Sequence, residues 1–339
     1  MPARAPRPCL GPDVPAEARV WKTVAPDAFP VPVLHPVTNV VGTVAGVLFA
    51  PAQRALGNAA RSALAGRSTG GPDLEFATDQ DRGLFGPDSV TWRVHADRSM
   101  LIGGVRALLL QVLHPLAMAG VAQHSAYRTD PLGRLARTGR FVAATTYGTT
   151  PEAERAIAMV RHVHEHVRGT ASDGRDYTAT DPALLAWVHN VEVDSFLTAY
   201  RRYGPGLSTA DADRYVAEMA VLGRLLGAED VPETAAELAA WIVRAPDQSM
   251  TREARDAVRF LVLPNLPARM LPVYGVIVAA AADLLPIGQR LALGLWPVPL
   301  ADPLVVRPAA IAMLSLLGWA LGPPPLPGSM SRTVPAAPA

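Results

Sequence analysis

Cysteine is almost absent from this chain, which has only Cys9 among its 339 residues. One cysteine excludes an internal disulfide, a zinc or iron–sulfur centre built from several cysteines, and a C-x-x-C-H cofactor attachment site. No glycine-rich phosphate loop and no G-x-S-x-G motif is present, so those nucleotide-binding and hydrolase types are excluded as well. The formal net charge of +1 gives no indication of nucleic-acid binding.

Charged residues are also scarce. They make up 18% of the chain, against about 25% in typical soluble proteins, while 50% of the residues are hydrophobic. Many side chains must therefore be buried or must face a partner. The apolar runs are too short or too interrupted for a membrane-spanning helix, which needs about 20 apolar residues. We interpret them as core helices, although the helices after Leu271 could lie on a membrane surface.

The two ends of the chain differ from its middle. Residues 1–32 are a Pro/Ala-rich leader without the apolar segment of a targeting signal, and residues 322–339 form a Pro-rich tail. We expect both to be disordered and residues 33–321 to form one helical domain. The lone cysteine and the lack of a signal favour a cytoplasmic location.

Helix start signals recur along this domain, and strand-like alternation is nearly absent. Asp or Ser caps and first-turn prolines predict most helix starts. The fold class is therefore all-α, and we expect a single multi-helix bundle of globin-like character around a buried pocket. The predicted helices are 33–56, 98–121 with a kink at Pro115, 131–147, 151–168, 182–203, 209–226, one after Thr234, 251–261 and further apolar helices after 271.

Three of the eight histidines alternate in one predicted helix, at His162, His164 and His166. With about 100° per residue, His164 falls in the apolar stripe of Ile157 and Val160, whereas its two neighbours point to the other side. A neutral imidazole in an apolar wall can bind a metal or haem iron. The alternative is a core histidine whose ring N–H bonds a backbone carbonyl, and both interpretations remain open here.

A second candidate lies on the helix that begins at Asp130-Pro131. Arg134 and Thr138 are four residues apart and share a face. A guanidinium beside a hydroxyl can hold a carboxylate, a propionate or bound oxygen. The alternative is a solvated face with a threonine that bonds its own helix.

Short motifs in this chain occur in an order that resembles one known family. They are His114-Pro115, Gln123-His124-Ser125, Asp130-Pro131-x-Gly133-Arg134-Leu135-x-Arg137-Thr138, Val160-Arg161-x-x-His164-x-x-Val167-Arg168-Gly169 and Asp181-Pro182-x-Leu184-Leu185-x-Trp187-Val188-His189. The chain resembles the bacterial and fungal family that includes the latex-clearing rubber oxygenases and the MpaB-type oxygenase of mycophenolic acid biosynthesis. The resemblance covers roughly residues 90–226.

The resemblance implies a helical fold around non-covalently bound haem b, with His164 as the proximal iron ligand. It places Arg134 and Thr138 on the distal side as catalytic residues. The lysine of the family's Arg-x-x-Lys-Thr stretch is Arg137 here, and a guanidinium is a poor iron ligand. The further residues expected to contact the cofactor are Arg137, Arg168, His189 and His124.

The expected function is therefore a haem-dependent oxygenase that acts with dioxygen on a small apolar, unsaturated molecule. The alternatives are another haem redox enzyme, a haem-binding sensor without turnover, and a cofactor-free helical protein of the membrane surface. The sequence does not indicate the oligomeric state.

Overall fold

The computed structural model describes residues 74–322, apart from Pro246, Asn265 and Pro299. All of them fall in one compact unit of the chain. The predicted leader, the predicted helix 33–56, Cys9 and almost all of the Pro-rich tail lie outside the described residues.

The described part of the chain is helical, which confirms the all-α fold class. A 3₁₀ turn (Ala268–Met270), a π-helical turn (Asp302–Val306) and a small hairpin of β1 (Arg168–Thr170) and β2 (Asp176–Thr178) accompany the helices. The likeness to a globin bundle stays a prediction. The helices are α1 (Val90–His95), α2 (Met100–Gln111), α3 (Pro115–His124), α4 (Pro131–Tyr147), α5 (Thr150–Glu165), α6 (Pro182–Tyr203), α7 (Thr209–Leu226), α8 (Ala235–Arg244), α9 (Arg252–Val262), α10 (Leu271–Asp283), α11 (Ile287–Ala292) and α12 (Arg307–Leu321).

The predicted helix caps are present. The carboxylate of Asp130 accepts a hydrogen bond from the Gly133 amide at 2.9 Å, and that of Asp181 accepts from the Ala183 amide at 2.8 Å. Thr234 forms a capping box with Glu237. Because each cap satisfies an otherwise unpaired amide, α4, α6 and α8 begin where the local sequence predicts.

The prediction of one long helix over residues 98–121 is wrong in one respect. Instead of a kink at Pro115, the chain forms two helices, α2 and α3, bent by 106°. Pro115 lies at the start of α3, after His114 in an extended conformation. Proline cannot donate to the preceding turn and disfavours helical geometry at the residue before it, so the helix breaks and restarts.

The predicted end of the histidine helix is also wrong. Helix α5 ends at Glu165 rather than near Gly169, and Arg168-Gly169-Thr170 becomes strand β1. This strand pairs antiparallel with β2. A Cβ at Gly169 would lie 2.6 Å from Gln123 Oε1, so glycine lets the strand pack closely against α3. The glycine therefore serves strand packing and not helix termination.

Helices α2 and α6 cross in the core and make the most extensive helix–helix contact. A Cβ at Gly103 would lie 2.9 Å from a ring carbon of Phe196 and 3.1 Å from the Ser195 carbonyl. Glycine at this position therefore permits the close approach of α2 to α6. The neighbouring Gly104 faces open space.

A buried arginine joins this crossing to a third helix. Arg106 on α2 is 2% exposed, and its Nη1 lies 2.7 Å from Asp194 Oδ2 on α6. The same nitrogen donates to Ser195 Oγ at 2.8 Å, while Nε donates to the carbonyl of Leu284 at 2.9 Å. Leu284 follows the last turn of α10, where the helix dipole favours a cation.

The C-terminal part of the described chain is rich in exposed apolar side chains. The stretch Asp302–Leu321 forms one continuous helical segment that is long enough and apolar enough to cross a membrane. Only 17% of its apolar part is buried. By length and composition this stretch goes beyond the prediction that every apolar run is too short or too interrupted for a membrane span. Helices α2 and α3 would be long enough to cross a membrane only if the bent pair formed one span. The membrane-surface contact expected of these helices stays a prediction.

Removing Asp194 should destabilise the fold strongly. The variant Asp194→Ala leaves the Arg106 charge buried without its partner, and we expect a loss of about 3–5 kcal/mol in the free energy of unfolding. Urea denaturation measures it. The matched control is Asp88→Ala, which breaks the exposed pair with Arg82 and should cost at most about 1 kcal/mol. Equal losses in the two variants would contradict the central role of Arg106.

Candidate functional site

Four chain segments converge at one end of the α4–α5 helix pair. Arg134 on the first turn of α4 donates from Nη1 to Ser125 Oγ, just after α3, at 3.1 Å. His124 at the end of α3 has its Nε2 3.1 Å from the carbonyl of Arg168 in β1. The amide of Val167 donates to the carbonyl of His164 at 3.1 Å. The structure therefore places Arg134, His124, Arg168 and His164 in one region.

Arg134 and His164 lie at the same level of this helix pair. Helices α4 and α5 pack against each other and are joined by a tight turn at Gly148 and Thr149. Arg134 lies 13 residues before Tyr147, and His164 lies 14 residues after Thr150. At 1.5 Å per residue, each is about 20 Å from the turn. Arg134 and His164 therefore lie at similar distances from the turn, near the open end of the helix pair.

His164 continues the buried stripe of its helix. Ala153 and Ile157 are buried, Val160 and His164 are half-buried, and His162 is exposed. Burial lowers the pKa of His164, so its imidazole is neutral at physiological pH. None of the described residues hydrogen-bonds its ring. The ring of His164 is therefore not held by a backbone carbonyl of residues 74–322, as the interpretation as a core histidine expected.

Arg134 is half-buried, and burial lowers its pKa. A guanidinium has five N–H donors, and Ser125 takes one of them, so others remain for a ligand. Thr138 and Arg137 are exposed. Arg137 Nη1 lies 3.4 Å from Asp130 Oδ2 at the helix cap. Of the three predicted residues on this helix, the structure places only Arg134 toward the interior.

The hairpin β1–β2 closes the region from the side of α3. Tyr177 on β2 donates from its hydroxyl to Gln123 Oε1 at 2.7 Å, and Gln123 donates to the carbonyl of Thr170 at 3.0 Å. The ring of His124 packs edge-on against Tyr177 with centroids 6.4 Å apart. These bonds fix β1, so they hold Arg168 at the edge of the region, where its side chain is exposed.

Within the described part of the chain, no hydrogen bond or ring contact joins His189 to this region. Its ring is buried between α6 and α7, where a Cβ at Gly223 would lie 2.8 Å from its Nε2. Burial lowers the pKa of His189 to about 4, and a hydrogen bond to the Met219 backbone partly opposes the shift. Its Nε2 has no hydrogen-bond partner among the described residues. The predicted cofactor contact of His189 therefore lacks support from these contacts.

Two interior groups were missed from the sequence. His95 at the end of α1 lies between Thr146 and Tyr215, with ring nitrogens 2.8 Å and 3.1 Å from their oxygens. Burial lowers the pKa of His95 to about 3. Glu192 on α6 has its pKa raised to about 7 by burial, and no described residue hydrogen-bonds its carboxyl group. A glutamate one turn from His189 on a largely apolar face is the signal that could have indicated it.

The fold and the region together define an all-α protein with a half-buried histidine, whose ring is bonded by none of the described residues, in the same region as a half-buried arginine. Residues 92–316 match the family described as ER-bound oxygenase mpaB/B'/rubber oxygenase, catalytic domain. The chain belongs to this family of oxygenases. This confirms the resemblance that the short motifs indicated. A member of an oxygenase family takes dioxygen and a substrate.

Two curated relatives are the uncharacterized proteins Mb2261 of Mycobacterium bovis and Rv2237 of Mycobacterium tuberculosis. Each is 37% identical to the chain over 106 residues, which is 30% of this chain and 39% of the relative. The match thus spans well under two thirds of either relative's length. No solved structure shows a significant match to the chain.

The buried histidine His95 should make the fold sensitive to acid. Its folded pKa of about 3 lies below the ordinary histidine pKa of 6.5, so the unfolded chain takes up its proton first. Stability is then full above about pH 6.5 and falls as the pH drops toward the folded pKa. The slope is up to about 1.4 kcal/mol per pH unit.

Urea denaturation between pH 7 and about pH 4 measures this slope. The variant His95→Gln keeps a polar side chain but cannot titrate, so its slope should be shallower than that of the parent. Other groups, such as Glu192, contribute equally to both proteins and cancel in the difference. Identical slopes would show that His95 is not held neutral by the fold.

Proposed function

We propose that this chain is a haem b-dependent oxygenase that acts on a small apolar, unsaturated molecule. The observation that carries the proposal is His164, a neutral half-buried imidazole whose ring is bonded by none of the described residues. The family membership supports the oxygenase activity in general. The cofactor and the substrate class are the finer parts of the proposal.

The residues of the region fit a haem. His164 has a ring nitrogen that none of the described residues bonds, as a residue that would hold the iron must have. Arg134 keeps donors beyond its bond to Ser125, and the exposed guanidinium groups of Arg137 and Arg168 can meet propionates. His124 is fixed by the Arg168 carbonyl and lines the same region. His164 would hold the iron, and the bound haem would supply the oxidation chemistry.

The chain's own residues would orient and protect the reactants. Arg134 can donate to an oxygen atom that develops negative charge, and it does so from a half-buried position where such a bond is strong. Thr138, one turn further along α4, can hold a water or a hydroxyl group near it. The half-buried side chain of Val160, one turn before His164, adds an apolar group beside it.

Arg137 distinguishes this chain from the latex-clearing proteins that the sequence resembles. Lysine at this position can lose its proton and bind iron, whereas a guanidinium stays charged. Arg137 already pairs with the Asp130 carboxylate at the helix cap. We therefore assign Arg137 to the edge of the site and not to coordination of the iron.

An alternative is a haem protein without oxygenase turnover, such as a sensor. His164 would bind haem in an oxygenase and in a sensor alike. Oxygen consumption with an apolar alkene, measured on haem-loaded protein, distinguishes the two. The location inferred from the sequence, the cytoplasm, stays a prediction.

The first prediction concerns the iron ligand. His164→Ala should abolish stoichiometric haem binding, because it removes the ring that reaches inward. The exposed neighbour supplies the matched control, and His162→Ala should keep full haem. Pyridine haemochrome analysis and the Soret band measure haem per chain. Full haem in His164→Ala would contradict the ligand assignment, and no haem in the parent protein would contradict the proposed function.

The second prediction concerns Arg134. Arg134→Ala should keep haem but lower oxygen consumption per bound haem by about a hundredfold or more. Thr138→Ala should lose less, because its side chain is exposed. The control Arg155→Ala removes an exposed arginine that bonds Glu152 on α5 and should leave turnover unchanged. If Arg134→Ala binds less haem but turns over normally per haem, the residue contacts only the propionates.

A further inference from the structure

The outer face of the last turn of α5 carries a cluster that the proposed oxygenase site does not use. His162, Glu165 and His166 are all exposed, and each offers one ligand atom within 4.8 Å of the others. His162 Nδ1 lies 3.4 Å from Glu165 Oε2. The two imidazole rings have centroids 4.8 Å apart. Within residues 74–322 this is the one group of three such side chains close enough to share an ion.

The spacing of these residues explains why they meet. His162 and His166 are four residues apart, which is about one helical turn, so their rings lie above one another. Together with Glu165 they form an H-x-x-E-H pattern, which in some metalloenzymes supplies two imidazole ligands from one helix. Because His162 and His166 both point away from His164, the alternate spacing places these two histidines on the same face of α5.

The hydrogen bonds leave ligand atoms available. His166 Nδ1 lies 2.8 Å from the carbonyl oxygen of His162. A carbonyl can only accept, so Nδ1 carries the hydrogen and Nε2 keeps its lone pair. Histidine ligands of metals very often donate their other N–H to a backbone carbonyl in this manner, which orients the ring. His166 is thus already held in the form that a metal needs.

The charge of the site favours a divalent cation. Glu165 contributes a carboxylate, and the end of α5 contributes the partial negative charge of the helix dipole. Imidazole and carboxylate ligands suit Zn²⁺ and its neighbours Ni²⁺ and Cu²⁺. Ligand atoms of tetrahedral zinc lie about 3.4 Å apart, close to the separation of His162 and Glu165. His162 and Glu165 also line a surface groove with Arg161 and Leu225, which leaves room for water or a ligand at a fourth position.

We propose that His162, Glu165 and His166 form a binding site for a divalent transition metal of the zinc type on the outer face of α5. The metal would link the last turn of the helix to the residue that ends it. This inference does not rest on haem binding by His164, which occupies the opposite, half-buried face of the same helix.

Zinc titration of the full chain tests the site. The protein is stripped with EDTA, dialysed and titrated with ZnCl₂ by isothermal calorimetry. We expect one Zn²⁺ per chain, and a weakening of binding by roughly tenfold or more in His162→Ala and in His166→Ala. Glu165→Gln should weaken it less. Unchanged zinc binding in both histidine variants, or no zinc binding by the parent, would overturn the proposal.

Three controls separate this site from other sources of metal binding. Glu154→Gln removes another exposed glutamate of α5 and should leave zinc affinity unchanged. Cys9→Ser should also leave it unchanged, and zinc-edge X-ray absorption should show imidazole scattering without sulfur. His164→Ala should keep its zinc, whereas His162→Ala should keep its haem. Zinc lost together with haem in His164→Ala would contradict two separate sites.

Discussion

The buried ion pair of Arg106 and Asp194 is the constraint on which the rest of the architecture depends. A guanidinium that is 2% exposed is tolerated only if its donors are satisfied, and here α6 and the end of α10 supply the acceptors to Arg106 on α2. Apolar contacts between α2 and α6 are less directional than these hydrogen bonds. The ion pair allows one register, and Gly103 makes that register possible because a larger side chain would collide with Phe196.

This fixed crossing determines where the candidate site can lie. Helix α2 ends at Gln111, and the break before Pro115 turns α3 away by 106°. Helix α3 then carries His124 and Ser125 to the open end of the α4–α5 pair, where Ser125 meets Arg134. A continuous helix through Pro115 would have carried these residues elsewhere. The helix break at Pro115 therefore helps to position His124 and Ser125 at the candidate site.

The sequence predicted the features that depend on short-range chemistry. Caps at Asp130 and Asp181 and the inward position of His164 follow from hydrogen bonding and helical periodicity within one element. The features that were missed depend on contacts between distant segments. Gly169 looks like a helix stop until Tyr177 and Gln123 are placed beside it, and His95 is unremarkable until Thr146 and Tyr215 surround it. Such contacts have no signature in a local pattern.

The end of α5 shows how one helix can present two different kinds of chemistry. Three histidines at alternate positions point in two directions, because steps of two residues turn the helix by about 200°. His164 faces the interior, where burial keeps it neutral and suited to a cofactor. His162 and His166 face solvent beside a carboxylate, where a hydrated cation can reach them without a desolvation cost to the protein core. Under the two proposals, the same short sequence would supply a half-buried ligand and an exposed pair, and the difference in burial would decide which histidine plays which part.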